Sequence, residues 1–382
     1  MPDPIIPSPI AIPQPRLDEL RQRLAQTRWP DAETVGDESQ GPPLAAMRSL
    51  VDRWAGGYDW RRCEAVLNGL GPSRTTVDGL DVFFLHVRSP EPGALPLLMT
   101  HGWPGSVLEF RHVVGPLTDP VAHGGRAEDA FHLVIPSLPG FGFSGQPAEA
   151  GWGPGRIAAA WITLMDRLGY GRWAAQGGDW GASVTEIISR MAPEGLVAVH
   201  FNMPLVFPSP EERERATPHE QAMIDDAQRY QTMLSAYMQE MTTRPQTIGY
   251  ALADSPVGLA AWIYTLFQDV SDSGGDPTSV FDLDELIDDV MMYWLPNAGA
   301  SSARLYWEAA QAGMSPPSGP NPTPAGFSIF PKEQVRASRR WIEARYETVL
   351  HCNELEAGGH FAALEQPVAF TDEVRATFRT VR

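Results

Sequence analysis

The sequence predicts an α/β fold, in which a mostly parallel sheet carries helices on both faces. Three observations lead to this prediction. From about residue 73, short β-rich runs alternate with segments of helical periodicity. The alternation stops after residue 202, and residues 203–325 read as helices that are dense in methionine and aromatic side chains. It resumes near the C-terminus, which indicates that the helical block is an insertion into the sheet domain.

These observations divide the chain into four segments. Residues 1–72 form an N-terminal helical extension that packs on the core, and residues 73–202 form the first part of the core. Residues 203–325 form a helical lid, and residues 326–382 complete the core. A lid of this composition would present an adaptable apolar face to a site beneath it. The alternative is that the block is simply a helical core.

Apolar spacing predicts the helices in turn. In the extension, residues 17–29 fit an amphipathic helix that Pro30 stops, and further helices are expected at 43–54 and 60–70. The remaining predicted helices are residues 107–117, 156–168, 181–191, 210–242, 252–270, 282–294, 301–311 and 367–378. The predicted strands are residues 81–87, 95–100, 131–135, 172–176, 327–330 and 348–353. Residues 316–324, which are rich in proline, form an irregular linker from the lid to the core.

The composition of the chain excludes some classes of partner and indicates a cellular location. The 382 residues carry a formal net charge of −18, which argues against nucleic acid or an anionic membrane surface as a partner. Cys63 and Cys352 lack the spacing of a metal or redox site and fit a reducing cytoplasm. Residues 1–15 contain neither a signal peptide nor a membrane anchor. We therefore expect a cytoplasmic protein. The sequence does not exclude a homodimer, but no feature of it supports one.

The most informative motif is Gly177-Gly178-Asp179-Trp180-Gly181, between a predicted strand and a predicted helix. It has the form of the G-x-S-x-G nucleophile elbow, with aspartate in place of serine. An aspartate with an ordinary pKa near ~3.9 is already ionised at neutral pH, so it can attack carbon directly and become an ester. The alternative is that Asp179 only caps the helix, which is a common role for aspartate.

A second glycine-rich turn, His101-Gly102-Trp103-Pro104-Gly105, follows the predicted strand 95–100. In α/β hydrolases the turn at this position supplies one backbone N–H of the oxyanion hole, and the residue after the nucleophile supplies the other. Trp103 and Trp180 hold these positions. His101 lies within the turn and is expected to be structural.

Hydrolysis of an aspartyl ester also needs a base and an acid that orients it. His360, in Gly358-Gly359-His360-Phe361, is the expected base because the order along the chain is nucleophile, acid, base. Glu333 follows the predicted strand 327–330 and is the preferred acid, since catalytic loops gather at the carboxyl ends of strands. The alternatives are Glu354 and Glu356, on the approach to the histidine, and Glu365, beyond it.

Together these motifs give the chain a family resemblance. The segments HGWPG, GGDWG, FPKE and GGHFAALEQP resemble the microsomal and juvenile-hormone type of epoxide hydrolase. The N-terminal LDELRQRLAQTRWPD and the lid segment ADSPVGLAAW are also similar to that family, so the resemblance spans nearly the whole chain. The membrane-anchoring N-terminal helix of the microsomal members is missing, which favours a soluble bacterial relative.

The resemblance implies an α/β-hydrolase fold with a helical lid that carries two proton-donating tyrosines. The matching positions are Tyr237, in SAYMQ, and Tyr306, in SARLYWE. A phenol, with a pKa near ~10, stays protonated at neutral pH yet can protonate the alkoxide that forms when an epoxide opens. Taken alone, either tyrosine could equally be a core aromatic residue.

The expected reaction converts an epoxide and water to a vicinal diol through an ester on Asp179, without a metal or organic cofactor. One rival is a haloalkane dehalogenase, which uses the same fold and a similar ester, and in which the Trp180 indole could hold the halide. The other rival is a non-catalytic ligand-binding protein of the same fold. The two lid tyrosines favour the epoxide, and a complete triad argues against a purely binding role.

Overall fold

The computed structural model describes residues 3–313 and 319–382. The predicted linker at 316–324 therefore lies partly outside the described residues. Within them, nine strands form one sheet. The strands are β1 (Ile6–Pro7), β2 (Pro72–Val77), β3 (Leu80–Val87), β4 (Leu95–Thr100), β5 (Phe131–Pro136), β6 (Trp173–Gly177), β7 (Leu196–Phe201), β8 (Ala325–Ile329) and β9 (Val349–Glu354).

The sheet is mostly parallel, as predicted. Its order is β1-β2-β3-β5-β4-β6-β7-β8-β9, antiparallel from β1 to β5 and parallel from β5 to β9. The chain passes from β4 to β5 on one side and then crosses to β6 on the other. The loops after β4 and β6 therefore diverge from neighbouring strand ends, which is where α/β sheets bind their ligands.

Three strands were absent from the prediction. Strand β1 is two residues long, and β2 lies next to it near the same edge with the polar sequence PSRTTV, so neither has a strong β pattern. Strand β7, with the sequence LVAVHF, does carry the β-branched pattern of a buried strand. This strand was not predicted, although its sequence contained the signal.

The N-terminal extension contains three helices, α1 (Gln14–Ala25), α2 (Leu44–Gly56) and α3 (Trp60–Gly69). The predicted bounds of the first helix, 17–29, were wrong at both ends, since α1 begins at Gln14 and ends at Ala25. Its buried stripe of Leu17, Leu20 and Leu24 ends at Leu24, and the helix ends one residue later.

The first part of the core adds α4 (Val114–Thr118), α5 (Pro154–Arg167) and α6 (Asp179–Met191). The single helix predicted at 107–117 was also wrong. A short 3-10 turn spans Val107–Phe110, and α4 begins only at Val114. Pro116 explains the break, since proline is tolerated in the first turn of a helix but not in its interior.

The described residues of the inserted region are mostly helical, but two of the predicted helices are divided into shorter ones. Residues 210–242 form three helices and an intervening π turn (Tyr230–Leu234), and residues 252–270 belong to two helices. Pro218 and Pro256 each begin a helix that Thr217 and Ser255 cap, so the chain cannot run through as one helix. The helices are α7 (Pro210–Glu214), α8 (Pro218–Arg229), α9 (Ala236–Thr243), α10 (Pro245–Asp254), α11 (Pro256–Val270), α12 (Leu283–Trp294) and α13 (Gly299–Ala312).

The second part of the core completes the fold with α14 (Arg339–Glu343), α15 (Ala362–Glu365) and α16 (Pro367–Phe378), of which α16 has the predicted bounds. The N-terminal extension also contacts the inserted region. Arg53 of α2 pairs with Asp284 of α12 at 2.7 Å, and the Tyr58 hydroxyl donates to the buried Asp288 of α12 at 2.7 Å. Asp288 also pairs with Arg62 of α3 at 2.9 Å and with Arg111 at 2.8 Å, and these two arginines compensate its buried charge. The contacts with Tyr58 and Arg62 therefore hold α12 against the extension.

Candidate active site

Asp179 lies at the turn between β6 and α6, as the first residue of that helix. Its φ of +48° is in the left-handed region, which is unfavourable for aspartate. A Cβ on Gly177 would lie 2.1 Å from the carbonyl oxygen of Gly181, and one on Gly181 would lie 1.8 Å from that of Thr100. Only glycine therefore fits on either side of the turn that presents Asp179.

The glycine-rich turn after β4 faces this carboxylate. The Trp103 N–H donates to Asp179 Oδ1 at 2.8 Å, and the Trp180 N–H also bonds to the carboxylate. A Cβ on Gly102 would lie 2.2 Å from Oδ1, so glycine is needed for this close approach. His101 is buried and bonds through Nδ1 to the Gly102 carbonyl oxygen at 2.9 Å, away from the carboxylate.

Opposing effects set the charge of Asp179. Burial raises the pKa of Asp179, whereas the nearby His360 and the N–H groups of Trp103 and Trp180 lower it. The two N–H donors thus offset part of the cost of holding an anion inside the protein. The same donors can stabilise an oxyanion on this carboxyl group, since they already point at its oxygen.

His360 bridges the two carboxylates. Its Nδ1 lies 2.9 Å from Glu333 Oε2, and its Nε2 lies 3.5 Å from Asp179 Oδ2. Glu333 is 2% exposed, and its Oε1 accepts the N–H groups of Gln334 and Val335 at 2.6 and 3.2 Å. The structure therefore brings Asp179, His360 and Glu333 together, with a hydrogen bond between His360 and Glu333 and an ion-pair contact between His360 and Asp179.

The charges beside His360 decide its protonation. Burial lowers the pKa of His360, but the negative charges of Glu333 and Asp179 outweigh burial and raise the pKa to about 10. The imidazole is therefore protonated while Asp179 is ionised. Removing the charge of Asp179 removes one of the effects that raise this pKa.

The three alternative acids lie elsewhere. Glu354 pairs with His219 at 2.7 Å, and Glu356 is exposed. Glu365 accepts backbone N–H groups from Gly359 and Phe361, both at 2.9 Å. It thus holds the loop that carries the histidine and does not contact the imidazole Nδ1.

The structure places Tyr237 of α9 and Tyr306 of α13 near Asp179, against the indoles of Trp103 and Trp180. The Tyr237 ring stacks on the Trp103 indole with centroids 5.0 Å apart, and the Tyr306 ring meets the Trp180 indole edge to face at 4.7 Å. Burial raises the pKa of both phenols well above the ordinary value of 10, and the charge of Asp179 adds to the effect. Both hydroxyls therefore stay protonated at neutral pH.

Two further residues of the site were missed by the sequence analysis. The hydroxyl of Tyr230, on the π turn, is hydrogen bonded to that of Tyr237. Glu109, on the 3-10 turn after β4, lines a cavity together with Asp179 and His360. The four-residue spacing of Gly105 and Glu109 was the available signal for Glu109, whereas nothing local marks Tyr230.

The described ranges, 3–313 and 319–382, contain no group of three or more His, Cys, Asp and Glu side chains arranged to hold a metal ion. In the same ranges no helix combines the length and the apolar character that a membrane crossing requires.

Comparison with known proteins agrees with this geometry. A family model described as "Epoxide hydrolase N terminus" matches residues 5–110, and one described as "alpha/beta hydrolase fold" matches residues 96–253. The chain is 53% identical to a "Putative epoxide hydrolase" of Stigmatella aurantiaca, over 99% of this chain and 86% of that protein. It is 31% identical to "Epoxide hydrolase 1" of Sus scrofa, over 94% of this chain and 85% of the relative.

Solved structures are similar over the whole chain. An enantioselective mutant of the epoxide hydrolase from Aspergillus niger superimposes with a TM-score of 0.89 at 30% identity, covering 100% of this chain and 97% of that one. The juvenile hormone epoxide hydrolase from the silkworm Bombyx mori gives a TM-score of 0.89 at 26% identity, covering 99% and 95%.

The fold and the aspartate elbow define an enzyme of the α/β-hydrolase class. Within that class, the chain belongs to the epoxide hydrolase family and is homologous to its microsomal and juvenile-hormone members. The relationship covers the N-terminal extension, the core and the inserted helices, so it includes every element that carries a residue of the site.

Proposed function

We propose that this epoxide hydrolase works through a covalent ester on Asp179. The supporting observation is the position of His360, with Nδ1 2.9 Å from Glu333 and Nε2 3.5 Å from Asp179. An imidazole held in this way can accept a proton from water beside an esterified Asp179. We also propose that residues 203–325 act as the lid over this site, with residues 1–72 packed against lid and core.

In the first step, Asp179 attacks one carbon of the epoxide and the carbon–oxygen bond of the ring breaks. Tyr237 and Tyr306 hydrogen bond to the leaving oxygen, and one of them gives it a proton. The products are a hydroxyalkyl ester and a phenolate. An alkoxide is a far stronger base than a phenolate, so the transfer is favourable even from a buried phenol.

Formation of the ester prepares the second step. Asp179 loses its charge, so the pKa of His360 falls below the value of about 10 that Asp179 and Glu333 together maintain. His360 can then lose its proton to solvent near pH 7 and act as a base, and it takes up a proton again when Asp179 is ionised at the end of the cycle. The catalytic order is therefore built into the electrostatics of the site: nucleophile first, base second.

In the second step, His360 takes one proton from a water molecule whose oxygen attacks the ester carbonyl carbon. The N–H groups of Trp103 and Trp180 hold the resulting oxyanion. The ester bond then breaks, the alcohol receives the proton from His360, and the diol leaves. The second proton of the water stays on Asp179, which is then a carboxylic acid. Asp179 releases this proton to solvent and the phenolate takes one up, so both groups return to their starting states.

The test is to replace His360 with Gln, incubate with a simple epoxide such as styrene oxide, and measure the mass of the intact protein. We expect an adduct that has the full mass of the epoxide, located on Asp179. A haloalkane dehalogenase would instead gain an alkyl group without halogen from a haloalkane, and a binding protein would gain nothing from either compound.

The matched control is Asp179→Asn in the His360→Gln background, which should give no adduct. Turnover of epoxide by the wild type, combined with no adduct in the His360→Gln variant, would rule out the ester mechanism. An adduct that survives Asp179→Asn would show that another side chain is the nucleophile.

A further inference from the structure

A small cavity lies beside Asp179, among residues of the core. The centre of a water molecule can occupy a volume of about 10 Å³ in it, and its polar lining consists of Glu109, Asp179, Asn202 and His360. Phe370 is part of the apolar lining of the cavity. A space of this size holds one water molecule and no larger ligand, and a buried water needs two to four polar partners, which this lining provides.

The position of Glu109 is fixed by the chain around it. A Cβ on Gly105 would lie 1.4 Å from Glu109 Oε1, so the carboxyl group occupies the space that any side chain at 105 would enter. The 3-10 turn that carries Glu109 is capped by Ser106, whose hydroxyl accepts the Leu108 N–H at 3.3 Å. The carboxyl is thus held against the HGWPG turn and faces the cavity.

Asn202 is also fixed, at the end of β7. Its Oδ1 accepts a hydrogen bond from Gln176 Nε2 at 2.8 Å, which sets the direction of its amide. A Cβ on Gly178 would lie 2.6 Å from Asn202 Nδ2, so the amide packs directly on the elbow. The cavity is therefore bounded by groups that cannot turn away from it.

We propose that Glu109 holds the hydrolytic water, an inference that rests on the proposed ester mechanism. His360 takes one proton of this water, and a carboxyl oxygen of Glu109 accepts a hydrogen bond from the other proton. The water oxygen is then directed at the carbonyl carbon of the Asp179 ester, which borders the same cavity.

This assignment keeps the proton balance of the reaction. The proton that bonds to Glu109 stays on the incoming oxygen and ends on the new carboxyl group of Asp179, so Glu109 neither gains nor loses a proton. Burial raises the pKa of Glu109 to about 8, although the charge of His360 opposes the rise. The carboxyl group of Glu109 can accept this hydrogen bond whether it is ionised or protonated, because its carbonyl oxygen is an acceptor in both states.

The experiment separates the two half-reactions. The Glu109→Leu and Glu109→Gln variants are mixed with less than one equivalent of styrene oxide. The mass of the intact protein is then measured over time to follow the ester as it forms and disappears. We expect Leu to leave ester formation within about twofold and to slow ester hydrolysis about 10- to 100-fold, the size expected for a lost hydrogen bond in a reacting complex. Gln keeps a carbonyl acceptor, so it should restore hydrolysis to within about fivefold of the wild type.

Asp289→Asn is the matched control. Asp289 is also buried and close enough to Glu109 to raise its pKa, but it bonds to the Ser106 hydroxyl at 2.7 Å and does not line the cavity. It should change neither rate. If Glu109→Leu does not fold, Glu109→Ala replaces it, with the same expected loss of hydrolysis.

Three outcomes would overturn the assignment: wild-type hydrolysis in the Leu or Ala variant, equal losses in both half-reactions, or Gln as slow as Leu. Failure of the ester mechanism is recognised separately, because then the His360→Gln variant accumulates no adduct. If that adduct forms and Glu109→Leu still hydrolyses its ester normally, only the role of Glu109 is wrong.

Discussion

The core side of the site and the side formed by the proposed lid are built differently. On the core side, backbone groups fix the charged residues: the Trp103 N–H donates to Asp179 at 2.8 Å, and the Gln334 N–H donates to Glu333 at 2.6 Å. On the lid side, Tyr237 and Tyr306 are positioned by ring packing, with the Tyr237 hydroxyl bonded to another lid phenol.

The difference matches what each side is proposed to do. The core groups must hold charge in both half-reactions, and charges inside a protein need fixed dipoles around them. The phenols act once, when the ring opens, and they must make room for a substrate. Damage to the lid should therefore slow ester formation, whereas damage to the histidine and its acid should slow ester hydrolysis.

The largest expected effect is on the lid side. Replacing both Tyr237 and Tyr306 with Phe should slow ester formation up to ~10⁴-fold, because the leaving oxygen then has no acid, and general acid catalysis is worth this much. Intact-mass kinetics with excess enzyme measure the rate. Tyr230→Phe is the control, since Tyr230 bonds to Tyr237 and is not one of the two proposed proton donors, and it should cost far less. Unchanged ester formation in the double variant would remove the tyrosines from the mechanism.

On the core side, Glu333→Gln should slow ester hydrolysis by ~10²–10³-fold, because the amide no longer stabilises the imidazolium or fixes its tautomer. Ester formation should change little, so the ester accumulates in the steady state. Glu365→Gln serves for comparison, since Glu365 binds backbone N–H groups and not the imidazole. Equal slowing of both half-reactions by Glu333→Gln would contradict the division between the two sides.

The two half-reactions should also separate with pH. Hydrolysis needs neutral His360, so its rate should fall about tenfold for each pH unit below the pKa of the imidazole in the ester. Ester formation needs ionised Asp179. Burial raises the pKa of this carboxyl group above the usual 3.8, but the positive charge of His360 opposes the rise, so ester formation should persist to more acid pH than hydrolysis. Acidification should thus increase the fraction of enzyme trapped as ester, which rapid-quench mass spectrometry measures. A trapped fraction that falls on acidification would be inconsistent with this order.

The smallest effect concerns the attachment of the lid. Glu220 of α8 bonds to Ser338 at 2.6 Å and to Arg340 at 2.9 Å, and chiefly Arg340 lowers the pKa of Glu220 to about 2. Its stabilising contribution is therefore present above pH 4.5, the ordinary value, and is lost as the pH falls towards 2.

We expect Glu220→Gln to lower the free energy of unfolding by about 1–3 kcal/mol at pH 7 and by much less near pH 2, as measured by urea denaturation. The exposed Glu214, on the neighbouring α7, provides the control variant Glu214→Gln, which should be neutral. A loss of stability that does not shrink at low pH would show that Glu220 acts through packing and not through its charge.

Part of the fold could be predicted residue by residue. Strand β4 and helix α16 have the predicted bounds because each has a clear apolar period and a clear end. The long helix at 210–242 was wrong because its apolar period was given more weight than Pro218, which can only begin a helix. The information was present in the sequence and was outweighed.

The sequence by itself determined the chemistry of the elbow. The glycines around Asp179 and the turn at Trp103 are local motifs, and sterics alone dictate how such short segments fold. Only the tertiary structure decided that Glu333, and not Glu365, meets the imidazole, and that Glu109 faces Asp179. These pairings join segments far apart in the chain, and their geometry depends on how the sheet and lid pack, which no local pattern encodes.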